Sequence, residues 1–144
     1  LLAENDMKLS IDKELKKQLG IQEDKTFFHS VITHSYYAIF NCAKAYLILK
    51  KIKTKPPEEH KKVYNEFKRI VNLGELNEEL LKIYEEETIK ADVLLDILAL
   101  EKRKRSFFTY KINSEANIPF ANESIENATK FLSSIKAIIE KRSR

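Results

Sequence analysis

Apolar residues recur along the chain at spacings of three and four, the period of helices that turn one face to a core. The strongest run links Phe28, Val31, Ile32, Ser35, Ile39, Cys42, Tyr46 and Leu49, with Asp24 placed as its N-cap. Ahead of it, Leu9, Ile11, Leu15 and Leu19 predict a short first helix from Met7 to Leu19, stopped by Gly20. Behind it, the basic connector Lys51 to Pro57 ends one helix, and its proline pair suits the first turn of the next. That next helix carries Val63, Phe67, Ile70 and Val71 and stops at Asn72-Leu73-Gly74. From Asn77 a long helix is expected, with Leu80, Leu81, Tyr84, Ala91, Leu94, Leu95 and Leu98 inward and Glu85-Glu86-Glu87 as a solvated face. Ile112 to Ala121, with two asparagines and Pro119, reads as a loop. A last helix from about Asn122 presents Ile125, Ala128, Phe131, Leu132, Ile135 and Ile138 before the basic tail Lys141 to Arg144. About five helices with short connections predict an all-α, up-and-down antiparallel bundle.

Composition supports that class. Two glycines and three prolines in 144 residues leave little turn punctuation for many short strands. A hydrophobic fraction of 43% suffices for one core, so residues 1–144 read as one domain, with residues 1–23 its least sharply patterned part. The first residue, Leu1, is not methionine, which suggests a longer polypeptide. Twenty-six basic and 22 acidic residues give a net charge of +4, which permits nucleic-acid binding without demanding it. Cys42 is the single cysteine, so neither an internal disulfide nor a cysteine-based zinc site can form, and a reducing, cytoplasmic setting fits. No apolar run approaches membrane length, and no signal-like N-terminus precedes the pattern, so no membrane partner is expected.

Several chemistries drop out. His29 and His34 stand five positions apart on one helix, about 140° around it, and cannot share an ion. No His-Glu-x-x-His pair, inward Glu-x-x-His pair, Gly-x-Ser-x-Gly elbow or glycine-rich phosphate loop occurs, so neither a metal nor another cofactor is expected.

The segment His34 to Phe67 carries more information than a core stripe requires. Its Ser35-Tyr36-Tyr37-Ala38-Ile39-Phe40, followed by Lys44-Ala45-Tyr46-Leu47 and a downstream His60, resembles the HEPN family of small helical bundles. Leu98 to Tyr110 and Ser124 to Ile139 extend the likeness, which covers about Thr26 to the C-terminus. Many members of that family are metal-independent ribonucleases that gather an arginine and a histidine from each chain of a homodimer. The resemblance puts Arg103 on the arginine, Tyr110 on a following tyrosine and Phe108 where the histidine would stand. Phenylalanine cannot exchange a proton.

The stretch Glu101 to Lys111 holds four consecutive cations, Lys102, Arg103, Lys104 and Arg105, then Phe107, Phe108 and Tyr110. Leu100, Arg103, Phe107 and Tyr110 share a helix face at spacings of three, four and three, while Arg105 points elsewhere. Arginine suits a phosphate through its planar fork, and tyrosine adds a donor or a stacking ring. The plainer reading is a solvated helix end whose cations complement the helix dipole. The resemblance implies a homodimeric partner-binding module of a nucleotidyltransferase-linked, toxin-antitoxin-like pair with a degenerate ribonuclease motif. The alternatives are an endoribonuclease using Arg103 with a histidine recruited from elsewhere, His34 or His60, and a nucleotide-binding domain. His34, Tyr37, Asn41 and Lys44 form a semi-polar edge suited to homodimer contacts, or simply the exposed rim of the bundle.

Overall fold

The structure is a computed structural model that describes residues 2–84, 89–110 and 117–142, the side chains of 109 and 110 excepted. Among these residues the chain is all-α, without strands, and forms seven helices: α1 (Leu2–Ile11), α2 (Lys13–Gln18), α3 (Phe28–Leu49), α4 (Glu59–Asn72), α5 (Glu75–Ile83), α6 (Ala91–Tyr110) and α7 (Ile118–Arg142). No described helix is long and apolar enough to cross a membrane.

α3 is the central strut and packs against α1, α4, α6 and α7. It buries Ile32, Tyr36, Ile39, Ala43, Tyr46 and Leu47 at no more than 1% exposure, more than one stripe, because neighbours cover it on several sides. Phe67 of α4 lies between Tyr46 and Phe131 of α7, with ring centroids 6.0 and 5.5 Å apart. Each such side chain contributes about 1.5–3 kcal/mol through burial. A separate cluster joins Ala3 and Met7 of α1 to Phe28 and Val31 of α3 and Ala121 of α7.

The pairings fix the helix directions. Asp6 meets His34 while Ser10 meets Phe27, so α1 runs against α3. Tyr36 bonds His60 while Tyr46 faces Phe67, so α4 runs with α3, because the connector first carries the chain back along the bundle. α7 also follows α3, from Ala121 beside Val31 to Arg142 beside Glu79, which in turn accepts from Tyr46. α6 runs against α7, with Lys104 beside Glu123 and Glu101 beside Asn127. The up-and-down order expected from short connections therefore holds from α3 through α6 to α7, which alternate in direction, but not for the consecutive pair α3 and α4, which run parallel.

Other boundaries differ from the pattern for local reasons. Met7 to Leu19 is not one helix: Asp12 leaves helical geometry at ψ 102 and its carboxylate accepts the Leu15 N–H, which starts α2. Ile11 and Leu19 are consequently exposed, while Ser10 and Lys16 are buried. Asp24 does not cap α3. That helix begins at Phe28, and the Phe27 N–H donates to the Ser10 hydroxyl. The long helix expected from Asn77 is two, since α5 ends at Ile83 and the Asn77 amide oxygen accepts the Ala91 N–H that opens α6, 2.8 Å away. Leu81 is exposed, and Glu85-Glu86-Glu87 lie outside the described residues. α7 starts at Ile118 with Pro119 in its first turn, four residues ahead of Asn122.

Candidate functional site

At the junction of α3, α4 and α6, here called the groove, aromatic rings and cations cluster. α3 supplies Tyr36, Tyr37, Phe40 and Lys44 because residues 36, 40 and 44 recur at four and Tyr37 flanks them. α4 supplies His60 on the stripe that continues through Val63 and Phe67, with Tyr64 one turn along. α6 supplies Lys102 and Arg105, spaced four and seven beyond the buried Leu98.

The His60 ring stacks on Phe40 with centroids 4.0 Å apart and an interplanar angle of 17°, and its Nδ1 lies 2.7 Å from the Tyr36 hydroxyl. Burial pushes the Tyr36 phenol up to about 12 despite the nearby Arg105 cation, so it remains a neutral hydroxyl. Burial is also the largest influence on His60 and lowers its pKa, helped by Arg105, Lys102 and Lys44 and opposed by Glu59. A neutral imidazole is the result at pH 7.

Arg105 donates from one terminal nitrogen to the Tyr37 hydroxyl at 2.8 Å, and its guanidinium lies over the Tyr37 ring, 5.3 Å from the centroid. Its Nε is buried without a hydrogen-bond partner, and no carboxylate pairs with it among the described residues. Lys102 sits over the Tyr64 ring at 5.5 Å. At the rim, Lys44 is ion-paired with Glu59. The groove thus holds a guanidinium with an unpartnered Nε and a neutral histidine, set among the buried rings of Tyr36 and Phe40 and the cation-covered rings of Tyr37 and Tyr64.

The residues singled out from sequence are distributed unequally. Arg103 is exposed and faces away from the groove. Lys104 is only 7% exposed and belongs to the interior, where it donates to Glu101, Glu123 and the Phe120 carbonyl, so it has no donor to spare for phosphate. Phe108 is buried and Phe107 about half exposed. The side chain of Tyr110 lies outside the described residues. His34 is taken by Asp6 at 2.5 Å, on the α1 side of α3. Tyr37, Lys44, His60, Lys102 and Arg105 are the ones brought together, with Arg105 inward where the face through Leu100 and Tyr110 had turned it out.

Tyr36 and Phe40 were legible only as family positions, and Tyr64 was not singled out. The useful signal was phase: at about 100° per residue, Arg105 lies roughly 20° from Leu98 and Arg103 roughly 140° from it. Counting four and seven positions on from Leu98 selects Lys102 and Arg105, which flank the buried row that continues through Glu101 and Lys104.

A second polar cluster lies at the other end of α3. Tyr46 donates to Glu79 at 3.0 Å, and Lys50 bridges Glu75 and Glu79 at 2.8 and 2.6 Å, with Arg142 also on Glu79. Burial works against the Lys50 charge, but its bonds to Glu75 and Glu79 outweigh it and raise the pKa. Here every cation has its carboxylate. Among the described residues no three His, Cys, Asp or Glu side chains group as metal ligands.

Comparison of the chain with family models, curated proteins and solved structures finds no match.

Proposed function

We propose that the chain is a HEPN-type module whose groove between α3, α4 and α6 binds the phosphodiester backbone of RNA, acting as a homodimer beside a nucleotidyltransferase partner. The observation that carries the binding reading is Arg105, a guanidinium with a buried, unpartnered Nε and no carboxylate among the described residues. Nε is shielded from solvent, so a phosphate that displaced the side chains over it would meet an unused, charge-assisted donor. The homodimer, the partner and the toxin-antitoxin context rest on the sequence resemblance of Ser35 to Leu47. Binding of a labelled structured RNA, with chelator present, tests the reading. Arg105→Ala should weaken it about tenfold or more, the effect of a lost hydrogen bond to a charged group. Affinity unchanged by that substitution overturns it.

Cleavage is the second reading, and the pairing of a neutral His60 with Arg105 favours it. With Nδ1–H donated to the Tyr36 oxygen, Nε2 of His60 carries a lone pair able to take a ribose 2′-hydroxyl proton; the 2′-oxygen would bond to phosphorus as the P–O5′ bond breaks, the 5′-oxygen taking a proton from water while Arg105 steadies the phosphate. The opposite tautomer makes Nε2 a donor and leaves a binding site. Metal-independent cleavage lost in His60→Ala and Arg105→Ala but kept in His34→Ala would establish the enzyme.

A further inference from the structure

α3 ends on lysine where glycine is usual. Lys51 takes φ 64, the left-handed conformation that side chains rarely adopt. Its N–H donates to Ile48 O and the next N–H, of Ile52, to Leu47 O, both at 2.8 Å, the paired closure that reverses a chain at a helix end. Residues 52–55 then lie along the bundle without helix. Ile52 packs on the main core and Thr54 is buried, whereas Lys51, Lys53 and Lys55 are exposed. Lys51 stands at the left-handed reversal, and from Ile52 to Lys55 the alternation is that of an extended segment, in which Lys53 and Lys55 emerge on the same side about 6.5 Å apart.

This strap is fixed at its far end, where Lys62 donates to the Lys55 carbonyl at 2.9 Å. Beyond it the chain passes into α4 and reaches His60 in the groove. The first acids met are Glu58 and Glu59, and Glu59 is held by Lys44. None of the three strap lysines is ion-paired among the described residues.

We propose that Lys51, Lys53 and Lys55 form a phosphate-tracking comb that extends the groove and takes the backbone of a single-stranded polynucleotide. A single row of cations, Lys51 at the turn with Lys53 and Lys55 along the strap, matches one strand carrying one charge per nucleotide. The partly buried Tyr37 and Tyr64 beyond its end suit unstacked bases, which a duplex does not offer. The proposal rests on the groove binding RNA, and the experiment separates the two.

Fluorescein-labelled uridine tetranucleotide and dodecanucleotide are titrated with the full chain across a salt series. The proteins compared are the wild type, the triple variant Lys51→Gln, Lys53→Gln, Lys55→Gln, and Arg105→Ala. Each single-strand phosphate contact contributes about 0.7 to the slope of log affinity against log salt, so losing three lowers the dodecanucleotide slope by about 2. The expected result is that loss with the tetranucleotide unaffected, while Arg105→Ala weakens both. A triple variant with wild-type slope on the dodecanucleotide overturns the comb and leaves the groove standing. Failure of the wild type to bind either oligonucleotide overturns both. Equal competition by an oligoglutamate of matching charge overturns the assignment to a polynucleotide. Circular dichroism confirms that each variant is folded.

Discussion

On α6, Lys104 turns toward α7 and its neighbour Arg105 toward α3 and α4, and the two cations meet opposite chemistries. Lys104 finds Glu101, fully buried, Glu123 and a carbonyl, and Glu101 is further held by Asn127. Arg105 finds a phenol and an aromatic face, with no acid among the described residues. A buried cation with its carboxylate serves the fold, because removing either partner strands a charge in a low dielectric. A part-buried cation resting on aromatic rings retains its electrostatic demand, and a ligand can meet it. The same contrast separates the Tyr46, Lys50 and Glu79 cluster from the His60 groove.

The largest effect expected from this contrast falls on stability. Lys104→Ala should cost about 3–5 kcal/mol in urea unfolding, as for a broken buried pair, while Arg105→Ala should cost under about 1 kcal/mol. Comparable losses from the two would erase the distinction. Tyr46→Phe deletes one donor to Glu79 and leaves Lys50 and Arg142 on it, so a loss of about 1 kcal/mol is expected from the same assay. A larger loss would show that the closed cluster depends on the phenol more than on its cations.

A smaller effect should follow pH. The folded chain holds His60 below its ordinary value, so the unfolded chain binds the proton more readily. The associated stability is present above about pH 6.5 and is lost as pH falls through the lower folded value. His60→Gln should therefore lose less stability than the wild type between pH 7 and pH 5. Equal or steeper loss in the variant would mean that the groove does not disfavour the imidazolium. Smallest of all, Arg103→Ala should move unfolding by less than about 0.5 kcal/mol, as for an exposed side chain away from any special feature.

What the pattern of the sequence revealed follows the same division. The stripes of α3, α4 and α7 were legible because apolar side chains obey one rule, burial, and Val31, Phe67 and Phe131 obey it at 0% exposure. The breaks at Asp12 and between Ile83 and Ala91 were not, since each depends on one side-chain oxygen competing for a backbone N–H. Asn77 acts across 14 positions, a distance that periodicity does not see. The site was half legible. Lys102, Arg105, His60 and Tyr37 were all among the residues noticed, but the face was drawn through Arg103. Treating charges as outward hid the fact that the buried stripe of α6 passes through Glu101 and Lys104.

The central claim is that Arg105, not Arg103, meets a phosphate. Nitrogen-15 NMR of the arginine Nε–H groups during titration with a uridine dinucleotide tests it at the atom concerned. The Arg105 resonance should shift and saturate with the dinucleotide while that of Arg103 stays fixed. A saturating shift at Arg103 with Arg105 unmoved, or no shift at either, would contradict the account.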